Sequence, residues 1–221
     1  MSKPIEIRIK KGTFYVSSKE DGGEGWNRQE FRNPQNPSET LIRYHKELGV
    51  EGEVVWVGFL EDKYKGDLFG MLIKGEEGTY SLKIPVFSSG KVEAIDQYLT
   101  SVIGAFENVN KGDKVTMFVN NKNKNKDGHL YRNVVTLDSE GKLIKSNFQF
   151  KDVPEWEEKV TVNALGREER KWDVTDFNNF YLEKAKAIVD RFASSKQEES
   201  EQKKSEQPKE KEAETVDELP F

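Results

Sequence analysis

Val54-Val55-Trp56-Val57-Gly58-Phe59-Leu60 is an unbroken apolar run, rich in β-branched and aromatic residues, that ends in the polar turn Glu61-Asp62-Lys63-Tyr64-Lys65-Gly66. Such a run bounded by turn residues reads as a strand. Leu68 to Lys74 follows as a second strand, closed by Gly75 and Gly78. Thr79 to Phe87 then alternates, with Tyr80, Leu82, Ile84 and Val86 facing one way and Ser81 and Lys83 the other. Three strands on short loops predict a meander. The period changes after Ser88-Ser89-Gly90, because Val92, Ile95, Leu99, Val102, Ile103 and Phe106 recur at helical spacing. Two strands return at Lys114 to Val119 and Leu130 to Leu137, separated by a loop of Asn, Lys and Asp that closes on Gly128.

Three strands, a helix and two strands make the element order of an OB-fold, a five-stranded, partly open barrel. Another small α+β sheet fits the same order. Before this core, residues 1–52 predict an N-terminal extension. Ile5 to Ile9 and Thr13 to Val16 read as strands, Glu20 to Gly25 as a flexible stretch, and Ser38 to Leu48 as a short helix capped by Ser38 and stopped at Gly49. His45 lies on that helix's apolar face as a partly buried structural residue. The barrel takes 53–138. Residues 139–193 continue with a strand-like stretch from Leu143 to Phe150, a charged connector holding Trp156 and Trp172, and a final helix. That helix's stripe of Phe177, Tyr181, Ala185, Ile188 and Phe192 predicts packing on the barrel. The fold class is therefore mainly β with flanking helices.

Composition narrows function. Of 221 residues, 34% are charged and 34% apolar, with no cysteine and two histidines. Disulfides, thiolate metal sites and cysteine nucleophiles are excluded, and no metal or cofactor is expected. No apolar run reaches membrane-spanning length and the N-terminus lacks an export signal, which together predict a cytoplasmic protein with no membrane partner. The sequence holds no phosphate loop, Rossmann fingerprint, HExxH or GxSxG, and the reading is of a non-enzyme. The net charge of −5 is unevenly spread: Ser194 to Phe221 holds five lysines and nine acids, leaving 30 basic and 31 acidic residues in the body. Residues 194–221 predict a disordered acidic tail.

In an OB-fold the face of strands 2 and 3 and the first and last hairpin loops bind oligonucleotides. The first loop carries Lys63, Tyr64 and Lys65; the last carries Lys122, Lys124 and Lys126. Single strands suit cations mixed with rings, since lysines follow phosphates while unpaired bases stack on aromatics. Trp56, Tyr64, Phe69 and Tyr131 are the candidate rings, with Arg132 beside the last and Lys83 on the adjoining strand. Trp26 and Arg28, with Phe31 and Arg32, form a second cluster after a glycine loop.

The chain ends Asp217-Glu218-Leu219-Pro220-Phe221. Acids followed by a small apolar residue, proline and a terminal phenylalanine, on a long acidic tether behind an OB-fold-like core, resemble the tip of bacterial and bacteriophage single-stranded DNA-binding proteins. The N-terminal extension and C-terminal helix make the chain most similar to a divergent phage-encoded member. The resemblance implies binding of single-stranded DNA, residence in a host cytoplasm, and recruitment of replication and recombination proteins through Asp217, Glu218, Leu219, Pro220 and Phe221. Two other readings stand beside it. In one the tip docks a sliding clamp or polymerase and the protein is an adaptor; in the other the same loops bind single-stranded RNA.

Overall fold

The computed structural model describes residues 3–10, 13–36, 38–63, 66–88, 92–120, 133–162 and 167–205. Among them are one nine-stranded sheet, a separate two-stranded hairpin and two α-helices, and no helix is long and apolar enough to cross a membrane. The elements are β1 (Ile5–Lys10), β2 (Thr13–Ser18), β3 (Asn27–Arg32), β4 (Thr40–Glu47), β5 (Val50–Asp62), β6 (Gly66–Lys74), β7 (Thr79–Pro85), α1 (Gln97–Phe106), β8 (Lys114–Asn120), β9 (Asn133–Leu137), β10 (Glu157–Val162), β11 (Glu168–Asp173) and α2 (Thr175–Ser205). The large sheet runs in the order β3-β4-β2-β1-β7-β6-β5-β8-β9.

The predicted meander forms as β5, β6 and β7. β8 then returns beside β5, so that four strands take the spatial order of a Greek key. The five-stranded barrel does not: the sheet stays open, and β1 pairs in parallel with β7 on the edge that closure would need. At the opposite edge, the backbone N–H of Val134 in β9 donates to Ser101 Oγ of α1 at 2.8 Å. A helix side chain thus satisfies a strand donor that a ladder would otherwise take. α1 lies against both β9 and β7 and buries Leu99, Val102, Ile103 and Phe106 under the sheet.

Other sequence expectations change. Ser38 to Leu48 is not a helix but contributes β4, paired on one side with β2 and on the other with β3. Its apolar residues were too few to bury a helical face, whereas Thr40, Ile42 and Tyr44 suit a strand with two partners. His45 is half-buried as expected, but in a strand. α1 starts at Gln97, five residues after Val92, because the Asp96 side chain accepts from the Tyr98 N–H at 2.8 Å and caps it there. Leu143 to Phe150 forms no strand; a single bridge joins Leu143 to Leu137, and residues 150–152 make a 3₁₀ turn. The expected connector around Trp156 and Trp172 holds the antiparallel pair β10–β11, in which Val160-Thr161-Val162 supplies β-branched residues and Arg170–Glu158 and Lys171–Glu169 pair across or along the hairpin. The 52/53 boundary drawn from the sequence falls inside β5.

α2 buries the expected stripe: Tyr181, Ala185, Ile188 and Phe192 join the core and Phe177 packs against it. It runs in the same direction as α1. Asn178 accepts from the Ile95 N–H and donates to the Glu93 carbonyl before α1 begins, and Arg191 reaches the carbonyls where α1 ends. The helix continues through Ser205, past the expected end at Ala193, since no Gly or Pro occurs between Thr175 and Gln207 to stop it.

A helix leaves its last carbonyls without internal partners. Arg191 supplies them from α2, donating to Glu107 O and Val109 O at 2.8 Å each and also to Phe106 O. Lys184 adds an ion pair to Glu107 at 2.8 Å. Arg191→Ala removes these charge-assisted bonds and strands the carbonyls, so unfolding in urea should show a loss of about 2–4 kcal/mol. Arg191→Lys should recover part of it.

Candidate nucleic-acid interface

β5 carries a register shift that decides which of its residues meet solvent. Val54 pairs with Ile73 and Trp56 with Leu72, so two steps on β5 match one on β6 and Val55 is the extra residue of a bulge. Before the bulge Val50 and Val54 face the core; after it Val57 does, and Trp56, Gly58 and Leu60 turn to the opposite face. A bulge is needed because side chains alternate strictly, and without one the phase of Val50 and Val54 would carry Trp56 into the core.

On that outer face Gly58 pairs with Gly70. The benzene half of the Trp56 indole covers the pair: a Cβ on Gly58 would stand 2.4 Å from Trp56 Cζ2, and one on Gly70 would stand 3.1 Å from Trp56 Cζ3 and 2.6 Å from Leu60 Cδ1. Two absent side chains therefore make the bed for the ring. The row continues across the sheet, since Gly70 pairs with Lys83 of β7. Lys83 is exposed, with Nζ 3.7 Å from Glu6 Oε1 of β1. Arg8 Nη2 donates to the same carboxylate at 3.0 Å, and that bond holds the guanidinium above its usual pKa, against partial burial and helped by Tyr15. One acid between two cations leaves this strip net positive. Arg8 in turn pairs with Tyr15 of β2.

Of the other sequence candidates, Phe69 is fully buried and cannot stack on a base. It stands opposite Phe59 with ring centroids 5.7 Å apart on the core side of the hairpin, because the period of two that turns Gly70 outward turns Phe69 inward. Trp26 is half-buried in the loop before β3, its indole against Gly22, where a Cβ would fall 2.2 Å from Nε1. Arg28 is exposed and pairs with Glu30 at 2.7 Å. Lys63 is exposed at the β5–β6 turn. Tyr64, Lys65, Lys122, Lys124, Lys126, Tyr131 and Arg132 lie outside the described residues, as do Asp217 to Phe221. The two loops predicted to grip a strand leave from opposite ends of β5: the first follows Asp62, and the last follows Asn120 of β8, whose Met117 pairs with Val50 at the start of β5.

Two features escaped the sequence reading. Phe118 is 39% exposed on the outer face of β8 opposite Val135, beside the start of the Lys-Asn loop. The alternation of buried Val115, Met117 and Val119 predicts that orientation. Gly58 and Gly70 stand six positions on either side of Tyr64, and a hairpin centred there brings them together. No protein-family model, curated protein or solved structure matches the chain.

A Cβ at Gly58 collides with the outer end of a half-buried ring rather than with backbone, so the ring gives way. Gly58→Ala should shift the tryptophan emission spectrum and raise its quenching by acrylamide, while the stability to urea stays within about 1 kcal/mol of the parent. An unchanged spectrum would show that the indole does not rest on this glycine.

Proposed function

We propose that the chain is a non-catalytic, sequence-tolerant single-stranded DNA-binding protein that covers replication and recombination intermediates and recruits their enzymes through its C-terminal tip. The observation that carries the reading is the Trp56 ring laid over the Gly58–Gly70 pair with Lys83 next in the same row. A ring on a flat strand surface offers a base a stacking partner, and a neighbouring cation offers the phosphate a counter-charge, with no donor or acceptor pattern that fixes sequence. The Greek-key order of β5 to β8 supports a relation to the OB-fold, whose second and third strands, here β6 and β7, form the usual oligonucleotide face.

Binding of labelled oligo-dT, compared with duplex DNA and with RNA of equal length, tests the proposal. Trp56→Ala should weaken oligo-dT binding by about 1–3 kcal/mol, and binding to the parent should quench tryptophan fluorescence. Lys83→Ala should reduce the slope of log K against log salt by about 0.7, the contribution of one phosphate on a single strand. A preference for duplex, or an affinity indifferent to Trp56, would overturn the reading.

The partner role rests on the ending Asp217-Glu218-Leu219-Pro220-Phe221. A terminal phenylalanine offers a ring for a pocket together with an α-carboxylate found only at a chain end. Appending one residue after Phe221 should abolish recovery of replication proteins from host extract while oligo-dT affinity stays within twofold. Equal recovery from both forms would reduce the ending to a charged terminus.

A further inference from the structure

The outer face does not stop at β7. The row that holds Gly58, Gly70 and Lys83 runs on to Arg8 of β1 and, by the Arg8–Tyr15 and Tyr15–Glu47 pairings, to β2 and β4. Four strand spacings, about 19 Å along the sheet, separate Trp56 on β5 from Tyr15 on β2. A single strand engaging four or more nucleotides spans that distance.

At the far end β2, β3 and β4 enclose a depression of about 310 Å³, lined among others by Thr13, Tyr15, Asn27, Gln29, His45 and Glu47. Register brings these side chains to one face, because Asn27 and Ser17 both pair with His45 and Tyr15 pairs with Glu47. The volume is at the lower end for small-molecule sites and suits a ligand of nucleoside size. Two half-buried rings line it, Tyr15 and His45, with centroids 5.1 Å apart in an edge-to-face arrangement, and Phe31 backs His45 at 6.1 Å. The polar lining differs from the strip at Trp56. Asn27 and Gln29 bring amides, which present a donor and an acceptor side by side, and Glu47 brings a carboxylate held beside Thr13 Oγ1 at 3.5 Å.

One of these groups discriminates among bases. An amide pairs with any base edge that sets a donor beside an acceptor, thymine's N3–H and carbonyl included, so Asn27 and Gln29 hold a base without choosing it. The Glu47 carboxylate only accepts hydrogen bonds, so it favours exocyclic amines and opposes the carbonyl oxygens of thymine, while Arg28, the cation that also lines the depression, is engaged by Glu30 at 2.7 Å. We infer that this depression takes one unstacked, amino-bearing base in preference to thymine from the strand that crosses Trp56, and that the N-terminal strands thereby give an otherwise sequence-tolerant surface a base preference. The inference rests on the single-strand reading above.

Full-length protein titrated with labelled oligo-dT, oligo-dC and oligo-dA of equal length tests it, with the readout taken as the ratio of dC or dA affinity to dT affinity. Glu47→Gln and Asn27→Ala alter exposed side chains. Glu47→Gln should lower both ratios about fivefold or more, with oligo-dT affinity changed less than twofold and thermal melting unchanged, whereas Asn27→Ala should weaken all three oligonucleotides. Trp56→Ala should weaken all three oligonucleotides together and leave the ratios in place. Ratios that do not move in the Glu47 variant, or a uniform loss across all three homopolymers in it, would overturn the base pocket while the stacking strip stands. A parent protein that binds no oligonucleotide would overturn both.

Discussion

The bulge at Val55 sets the arrangement of everything built on β5. This strand is the hub of the sheet, pairing with β8 through Val50 to Glu53 and with β6 through the rest of its length. Its first half must bury Val50 and Val54, and its second half must bury Val57, a spacing that strict alternation cannot satisfy. One extra residue resolves the conflict and delivers the largest side chain of the run, Trp56, to the solvent face. Core packing on one side of the sheet thus dictates the chemistry of the other side.

The core itself is completed by helices rather than by strand closure. α1 packs against β9 and β7, and its Ser101 takes up the Val134 donor at the edge of β9. α2 then holds α1 in place through Arg191, whose guanidinium serves three carbonyls at the end of that helix. An open sheet leaves β7 an edge to share, and β1 uses it in parallel. That junction carries the outer face beyond the meander, so the strip from Trp56 through Lys83 and Arg8 reaches the depression at Tyr15 and His45 without a break in the sheet.

Glycine has a different task on this surface from its usual one in turns. Gly58 and Gly70 are set by the space their neighbours occupy: any side chain there would lift the indole or displace Leu60. The absence of two Cβ atoms turns a strand aromatic into a ring that lies along the sheet. A single row then offers apolar area at Trp56 and positive charge at Lys83 and Arg8, the two properties that a sequence-tolerant contact with a single strand requires.

Local pattern was enough for β5 to β9, α1 and the buried stripe of α2, because those segments alternate or repeat with a period that matches the face they bury; Leu82, Ile84 and Val86 are buried as their spacing requires. It was not enough for Ser38 to Leu48, where a cap and a stop enclose a sparse apolar set, and pairing with β2 and β3 overrode the local preference. It also left Trp56 and Phe69 equal as candidates, although one turns out to cover a glycine pair and the other is core. The composition of the tip at Asp217 to Phe221 is determined by sequence alone. What tertiary structure decided is phase and neighbourhood: a bulge, a parallel junction and a helix seated on the edge of β9 depend on partners far away in the chain, and a short window of residues carries the propensity for a strand but not the identity of what lies across from it.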